Sequence, residues 1–235
     1  TNILINTRMI EAAYQAGVKK FIWISSAVAY PPSGERRIRE EEMFDGDPYP
    51  KSFFAGWMKR SMEVLCRMYG EKIAQPMTTI VLRPTNVYGI HDKFDPAISH
   101  VIPALIKKGV ERQNPIEVWG TGDEVRDMVY VDDMVEAMVL AAEKVDGYGV
   151  FNIASGRPVK IRDIVELILE LDGYRDARVV FDPAKPTTFP IRLLDTTRAE
   201  TLLGWRATTD LREGLARTIA WYRQTANAPQ PAAAA

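Results

Sequence analysis

"KKFIWISSA" (Lys19–Ala27) sets four consecutive apolar residues between two lysines and two serines. A run this short, rich in β-branched and aromatic side chains and ending on small polar residues, predicts a strand covered on both faces, as in a parallel sheet. Upstream, Ile3, Ile10, Ala13 and Tyr14 recur at helical spacing from Asn2 to Gly17, where the glycine supplies a stop. Downstream, "AYPPSG" (Ala29–Gly34) breaks the chain into a loop. Asp47 to Tyr49 then precede a helix over about Phe53–Tyr69, ended by Gly70. "TTIVLRPTNVYG" (Thr78–Gly89) reads as a second buried strand running into a turn. Helix, strand, helix, strand with short joints predicts an α/β fold around a parallel sheet.

Beyond Gly89 the pattern changes. "HDKFDPAISH" (His91–His100) is polar loop, and "VIPALIKKGV" (Val101–Val110) is a helix with proline in its first turn. "IEVWGTGDEVRDMVYV" (Ile116–Val131) reads as two strands around a Gly-Thr-Gly-Asp turn. Asp132 or Asp133 is expected to cap the helix that follows. A strand at Val150–Ser155, an amphipathic helix over Lys160–Gly173 and a strand at Ala177–Phe181 come next. A short helix capped by Thr196 or Thr197 and a last helix over Asp210–Gln224 complete the chain.

Composition is that of an ordinary globular protein, with 46% apolar and 26% charged residues in a chain of 235. Thirty basic against thirty-one acidic residues leave a formal charge of −1, and the mixed-sign cluster "GERRIREEE" (Gly34–Glu42) is a solvated loop rather than a nucleic-acid surface. No apolar run is long enough to span a bilayer and no signal peptide is visible. Cys66 stands alone, so no internal disulfide forms and a reducing cytoplasm fits. Two histidines and one cysteine make no metal constellation, and no G-x-S-x-G elbow occurs.

The front third thus reads as part of a doubly wound (Rossmann-like) parallel sheet, residues 1–90. A smaller mixed α/β lobe over 91–225 follows, with the 116–131 region placed to return to the main sheet, and 226–235 form a disordered tail. Such a fold opens with a strand, a glycine-rich turn and a helix. No G-x-G-x-x-G occurs here. At about 30 residues per βαβ unit, the expectation is that on the order of 80–100 residues of a first nucleotide-binding half lie outside this sequence.

Three stretches carry a resemblance: "NVYGIHDKFDPAISHVIPALIKK" (Asn86–Lys108), "VWGTGDEVRDMVYVDDM" (Val118–Met134) and "VVFDPAKPTTFPIRLLDTTR" (Val179–Arg198). Taken in order over almost the whole chain, they are similar to the extended short-chain dehydrogenase/reductase (NAD-dependent epimerase/dehydratase) family, within it most of all to the GDP-L-fucose synthases. The resemblance implies a nucleotide-sugar substrate and NAD or NADP as cofactor. It also implies a homodimer through a four-helix interface that includes the Phe53–Tyr69 helix. A parallel sheet without its first strands exposes an apolar edge, so an oligomer or pairing with the N-terminal segment is expected on that ground as well.

Residue by residue, "ISSAVAYP" (Ile24–Pro31) matches the family's serine motif. Ser26 is then the serine that meets the reacting oxygen, with Ser25 on the cofactor side and Tyr30 on the substrate side. Fucose synthases carry a cysteine acid/base two residues after this serine, where this chain has Val28. In "SFFAGWMKR" (Ser52–Arg60) Lys59 matches the catalytic lysine that also holds the nicotinamide ribose. The family's tyrosine four residues earlier is replaced by Ala55. Since i and i+4 share a helix face, the missing group is the phenol that Lys59 would acidify. His100 in "SHVIP" matches an epimerisation acid/base, and Asn86, Lys107, Trp119 and Arg126 match positions on the sugar-nucleotide side. The family's Asp-Gly-Thr-Pro-basic segment is altered here to Thr187, Thr188, Phe189, Pro190 and Ile191, with Arg192 the first base. Two readings follow: a nucleotide-sugar epimerase/reductase (or, as an alternative enzyme, a 4-epimerase or 4,6-dehydratase) silenced at Ala55 or using another acid, or a non-catalytic relative that binds a nucleotide sugar or a partner subunit.

Overall fold

The computed structural model describes residues 2–187 and 189–226. Thr188 and the tail from 227 onward lie outside the described residues. The chain forms two compact units: the first takes the chain up to Val87, Val125–Val159 and Thr187–Thr208, and the second takes Tyr88–Glu124, Lys160–Pro186 and the chain from Thr209. The chain therefore does not divide at a single cut near residue 90. The stretch expected as one lobe returns to the first unit twice.

In the first unit α1 (Asn2–Gln15) leads into β1 (Lys20–Ile24), α2 (Phe53–Glu71) and β3 (Thr78–Pro84), with the short β2 (Arg37–Ile38) between β1 and α2. β1, β3 and β7 (Tyr148–Ile153) form a parallel three-stranded sheet in that order. Its two faces are covered differently. Val81 packs with Ile10, Met62, Cys66 and Tyr69 on the α1/α2 side. Ile80, Leu82, Phe151 and Ile153 pack with Met134, Ala137 and Trp205 on the side of α4 (Val131–Lys144). This double burial explains the unbroken apolar runs. Each of the large side chains here contributes about 1.5–3 kcal/mol of transfer energy.

Local expectations were met unevenly. Gly17 adopts φ 71° and stops α1. Gly70 does not stop α2, which runs on to Glu71. It is instead a point of close approach, where a Cβ would lie 2.5 Å from Thr79 Oγ1 and 3.0 Å from Tyr148 Cβ. Asp133 does not cap α4, whose N-cap is Tyr130. Its carboxylate accepts from the Thr208 amide and hydroxyl, each at 3.2 Å, while its carbonyl accepts from Trp205 Nε1 at 2.9 Å. Nor do Thr196 and Thr197 cap the π turn at Ala199–Leu203, which starts from Arg198.

The predicted strand pair around Gly120–Asp123 exists, but its members do not pair with each other. β5 (Ile116–Trp119) pairs in parallel with β9 (Val179–Asp182) in the second unit. β6 (Val125–Tyr130) lies between β4 (Asn86–Tyr88) and β8 (Pro158–Lys160). In the second unit, α5 (Ile161–Asp172) buries Ile161, Ile164, Val165, Ile168 and Leu169, a stripe of helical period, and ends on Gly173 at φ 71°. α3 (Val101–Val110) and α6 (Leu211–Ala226) accompany it. The Arg112 and Arg223 guanidiniums close on the buried Asp172 carboxylate.

Candidate functional site

One face of α2 grips the serine segment at four points. Lys59 Nζ donates to the Ile24 carbonyl at 2.8 Å, and Arg60 Nε donates to the Ala29 carbonyl at 2.8 Å. Glu63 accepts the Ser25 hydroxyl proton. Gly56 completes the face, because a Cβ there would sit 3.0 Å from the Val28 carbonyl and 2.5 Å from Pro48 Cβ. Positions 56, 59, 60 and 63 are i, i+3, i+4 and i+7, the spacing of one helix stripe. The local helix is what turns a linear motif into a clamp.

Within this clamp Ser26 is half-buried and ends the strand as the cap of a single 3-10 turn, Ala27–Ala29, its Oγ accepting from the Val28 amide at 3.3 Å. Lys59 is half-buried, with its ammonium 4.7 Å from the Trp23 ring centroid. Burial pulls its pKa below the usual lysine range, and the Glu63 charge opposes that pull. Ala55, one turn before Lys59 in α2, is exposed. The clamp thus brings Ser25, Ser26 and Lys59 together, with only the Ala55 methyl group one turn before the lysine.

Two sequence-derived positions take other roles. Tyr30, expected on the substrate side, is fully buried: its hydroxyl donates to Asn152 Oδ1 at 2.6 Å and accepts from Arg83 Nη1 at 2.7 Å. Burial, first of all, raises its pKa. Its polar atom is committed to the core, which also removes it as a substitute for the missing phenol. Ser25, expected on the cofactor side, is 3% exposed with its hydroxyl turned to Glu63. Asn86 is half-buried on β4, and its Nδ2 donates to the Asp127 carbonyl at 3.1 Å.

Arg126 does not act alone. Its guanidinium donates to the Val125 and Pro190 carbonyls and lies 5.2 Å from the Phe189 ring centroid. Arg192 approaches the same ring at 4.7 Å. It is 1% exposed, Nη1 donates to the Pro31 carbonyl at 2.7 Å, and Nε is buried with no hydrogen-bond partner. Burial pushes its pKa down to about 10, with the nearby Arg126 charge adding to the fall. Tyr49 meets Phe189 edge-on at 6.1 Å. Phe189 thus carries two guanidiniums, both held in the interior by backbone carbonyls. The sequence named Arg192 only as the first base after an altered motif. The missing signal was Phe189, which packs against both arginines.

Three expected site residues belong to the second unit. His100 is exposed and is the N-cap residue of α3, without a side-chain cap bond. Lys107 is ion-paired to Glu111 at 3.0 Å, and the hydrogen bond it donates to that carboxylate is the main cause holding its pKa up. Trp119 is 54% exposed, with the Lys185 ammonium 5.9 Å from its ring centroid. Elsewhere in the first unit, a groove of about 880 Å³ opens between α2 and β7, past Phe44, Val64, Met68 and Leu202. Neither Ser26 nor Lys59 lines it. It meets the clamp only at Glu63, which lines it together with Arg83.

Among the described residues no group of His, Cys, Asp and Glu could hold a metal ion. No helix among them is long and apolar enough to cross a membrane. A nicotinamide dinucleotide fits these residues in part: the buried Lys59 amine suits its ribose end, while the glycine-rich turn for its pyrophosphate is not in this sequence.

Comparison with known proteins places this geometry. The chain is 33% identical to GDP-L-fucose synthase 1 of Arabidopsis thaliana, covering 94% of this chain and 68% of that one. It is 33% identical to GDP-L-fucose synthase of Escherichia coli (strain K12), covering 94% and 72%. Among solved structures, UDP-glucose 4-epimerase with UDP-glucose from Thermotoga maritima superposes with a TM-score of 0.86 at 32% identity, over 97% of this chain and 71% of that chain. The pattern of the NAD dependent epimerase/dehydratase family matches residues 1–154. The chain belongs to that family.

Proposed function

We propose that this chain is the catalytic and substrate-binding part of an NAD(P)-dependent nucleotide-sugar epimerase/reductase of the GDP-L-fucose synthase type, acting on a GDP-4-keto-6-deoxy sugar. The observation that carries the reading is the buried Arg126–Phe189–Arg192 arrangement in the same unit as the serine–lysine clamp, where Arg192 Nε has no hydrogen-bond partner and in this reading donates to a diphosphate. In this reading Ser26 hydrogen-bonds the 4-oxygen of the sugar. Lys59 keeps a positive charge beside it and holds the nicotinamide ribose. When bound, the dinucleotide supplies or accepts hydride at C4. Asn86, in the same unit, contacts the sugar nucleotide. With Ala55 in place of the phenol, α2 presents no phenol one turn before Lys59 to deliver a proton to the 4-oxygen.

Calorimetric titration with GDP-mannose tests the reading. The chain binds, and Arg192→Gln weakens binding by at least tenfold, since an uncompensated buried contact to a diphosphate costs about 2–5 kcal/mol. If neither GDP- nor UDP-sugars bind, the reading is wrong. The same titration addresses the second reading, a non-catalytic sugar-nucleotide binder, which Ala55 and Val28 favour. That reading predicts wild-type affinity without turnover, and unchanged affinity in Lys59→Met.

Assembly and location belong to the same proposal. Among the described residues β1 pairs on one side only, with β3, and its Phe-Ile-Trp-Ile edge invites a further strand. At the other end, Glu40 accepts from the Asn152 amide at 2.8 Å and Arg198 donates to the Val150 carbonyl, which blunts the β7 edge. α1 and α2 also expose Ile3, Met9, Phe54 and Trp57. We therefore expect a cytoplasmic protein that is a homodimer, or that is paired along β1 with an N-terminal segment. A monodisperse monomer in light scattering, with no bound peptide, overturns this.

A further inference from the structure

We propose that Glu63 is a positioning residue, one buried carboxylate that joins the serine segment to the lysine turn of α2. The proposal rests on the reading of Ser26 and Lys59 as the reacting pair. Glu63 is 2% exposed and lies one helical turn beyond Lys59. One oxygen accepts from Ser25, the residue before Ser26. Both oxygens accept from Arg83, whose Nε lies at 3.1 and 3.0 Å and whose Nη2 lies at 2.5 Å.

Arg83 carries the connection further, donating to the Tyr30 hydroxyl and to the Glu40 carbonyl, each at 2.7 Å. The serine segment is therefore fixed at both ends, at Ser25 by Glu63 and at Tyr30 by Arg83. Ser26 lies between two anchors that share one ion pair. The chemistry attributed to the pair uses neither Glu63 nor Arg83, yet both are held in the interior at the cost of desolvating two charges. An apolar pair would fill that space without fixing the serine turn.

Glu63 also acts on the lysine. Lys59 is faced from β1 by the Trp23 ring and the Ile24 carbonyl, and from its own helix by the Glu63 charge. The other titratable groups within the reach of Glu63 are Arg83 on β3, Tyr148 on β7, Tyr30, and Arg60 and Cys66 on α2. Removing the carboxylate leaves the burial of the amine and takes away the charge that opposes it.

The test uses two readouts that need no sugar nucleotide, so failure of the functional reading and failure of this one are distinguishable. Trace acetylation of the lysines as a function of pH reads the titration midpoint of Lys59, and hydrogen exchange reads the amides of Ser26–Tyr30. Glu63→Gln shifts the Lys59 midpoint downward. Glu63→Asp keeps the charge and restores the midpoint toward wild type, while exchange at Ser26–Tyr30 accelerates because the shortened side chain no longer reaches Ser25. Ser25→Ala accelerates the same amides and leaves the Lys59 midpoint in place. An unmoved midpoint in folded Glu63→Gln overturns the proposal. Should that variant not fold, unchanged exchange at Ser26–Tyr30 in both Glu63→Asp and Ser25→Ala overturns it instead.

Discussion

Replacing Ala55 with tyrosine is expected to raise the rate of NAD(P)H-dependent reduction of a GDP-4-keto-6-deoxy sugar by about 10²–10⁴-fold, the usual yield of a positioned general acid. The geometry is prepared for it. Ala55 is exposed in the first turns of α2, so a larger side chain extends into open space. It shares the helix face that presents Lys59, whose amine is already fixed at the Ile24 carbonyl and partly desolvated. A phenol one turn before such a cation is easier to ionise, because the charge favours the phenolate. The control is Ala55→Phe, which adds the ring without the proton. A gain confined to kcat and to the tyrosine variant identifies a proton donor used in the transition state. Equal rates for the two variants mean that position 55 does not face the reacting carbon, and the match to the family's tyrosine is then misplaced.

That expectation was open to sequence reasoning because it depends on spacing within one helix. The strands Lys20–Ile24 and Thr78–Pro84 were open to it for a similar reason: four or more consecutive apolar residues have few other places to go in a soluble fold. What the sequence hid was partnership between distant segments. Gly120 and Gly122 turn the chain at positive φ as a hairpin would, yet β5 leaves for β9 and β6 for β4 and β8. Nothing local to that turn encodes those partners. Tyr30 sits beside the serine motif and so read as a ligand contact. Its burial follows from Asn152 on β7 and Arg83 on β3, which meet its hydroxyl only once the sheet has formed. Arg192 was visible as a base and invisible as half of a pair, since Phe189 and Arg126 reach it through tertiary packing. The extent and face of a single helix such as α2 were legible from spacing, whereas contacts that depend on sheet order were not.

The Glu63–Arg83 pair sits where sheet order and helix face meet, and its removal is the other large effect expected. Arg83→Met is expected to destabilise the fold by about 3–5 kcal/mol, because it leaves the Glu63 carboxylate buried without a counter-charge. The two side chains are 3% and 1% exposed, so solvent cannot replace the lost partner. Methionine fills most of the volume of the arginine stem, which leaves the unpaired charge as the main source of the loss. The double variant Arg83→Met/Glu63→Leu removes both charges and is expected to recover most of it. What remains missing is the acceptor for Ser25 and the donor to Tyr30, and Tyr30 keeps its bond to Asn152. Urea unfolding with an unchanged slope measures both variants, and the cycle through Glu63→Leu isolates the coupling. Should the double variant lose as much as the single one, the pair is not an isolated charge balance. Its stabilising role then runs through the Glu40 carbonyl and Tyr30, the contacts Arg83 makes at the far end of the serine segment.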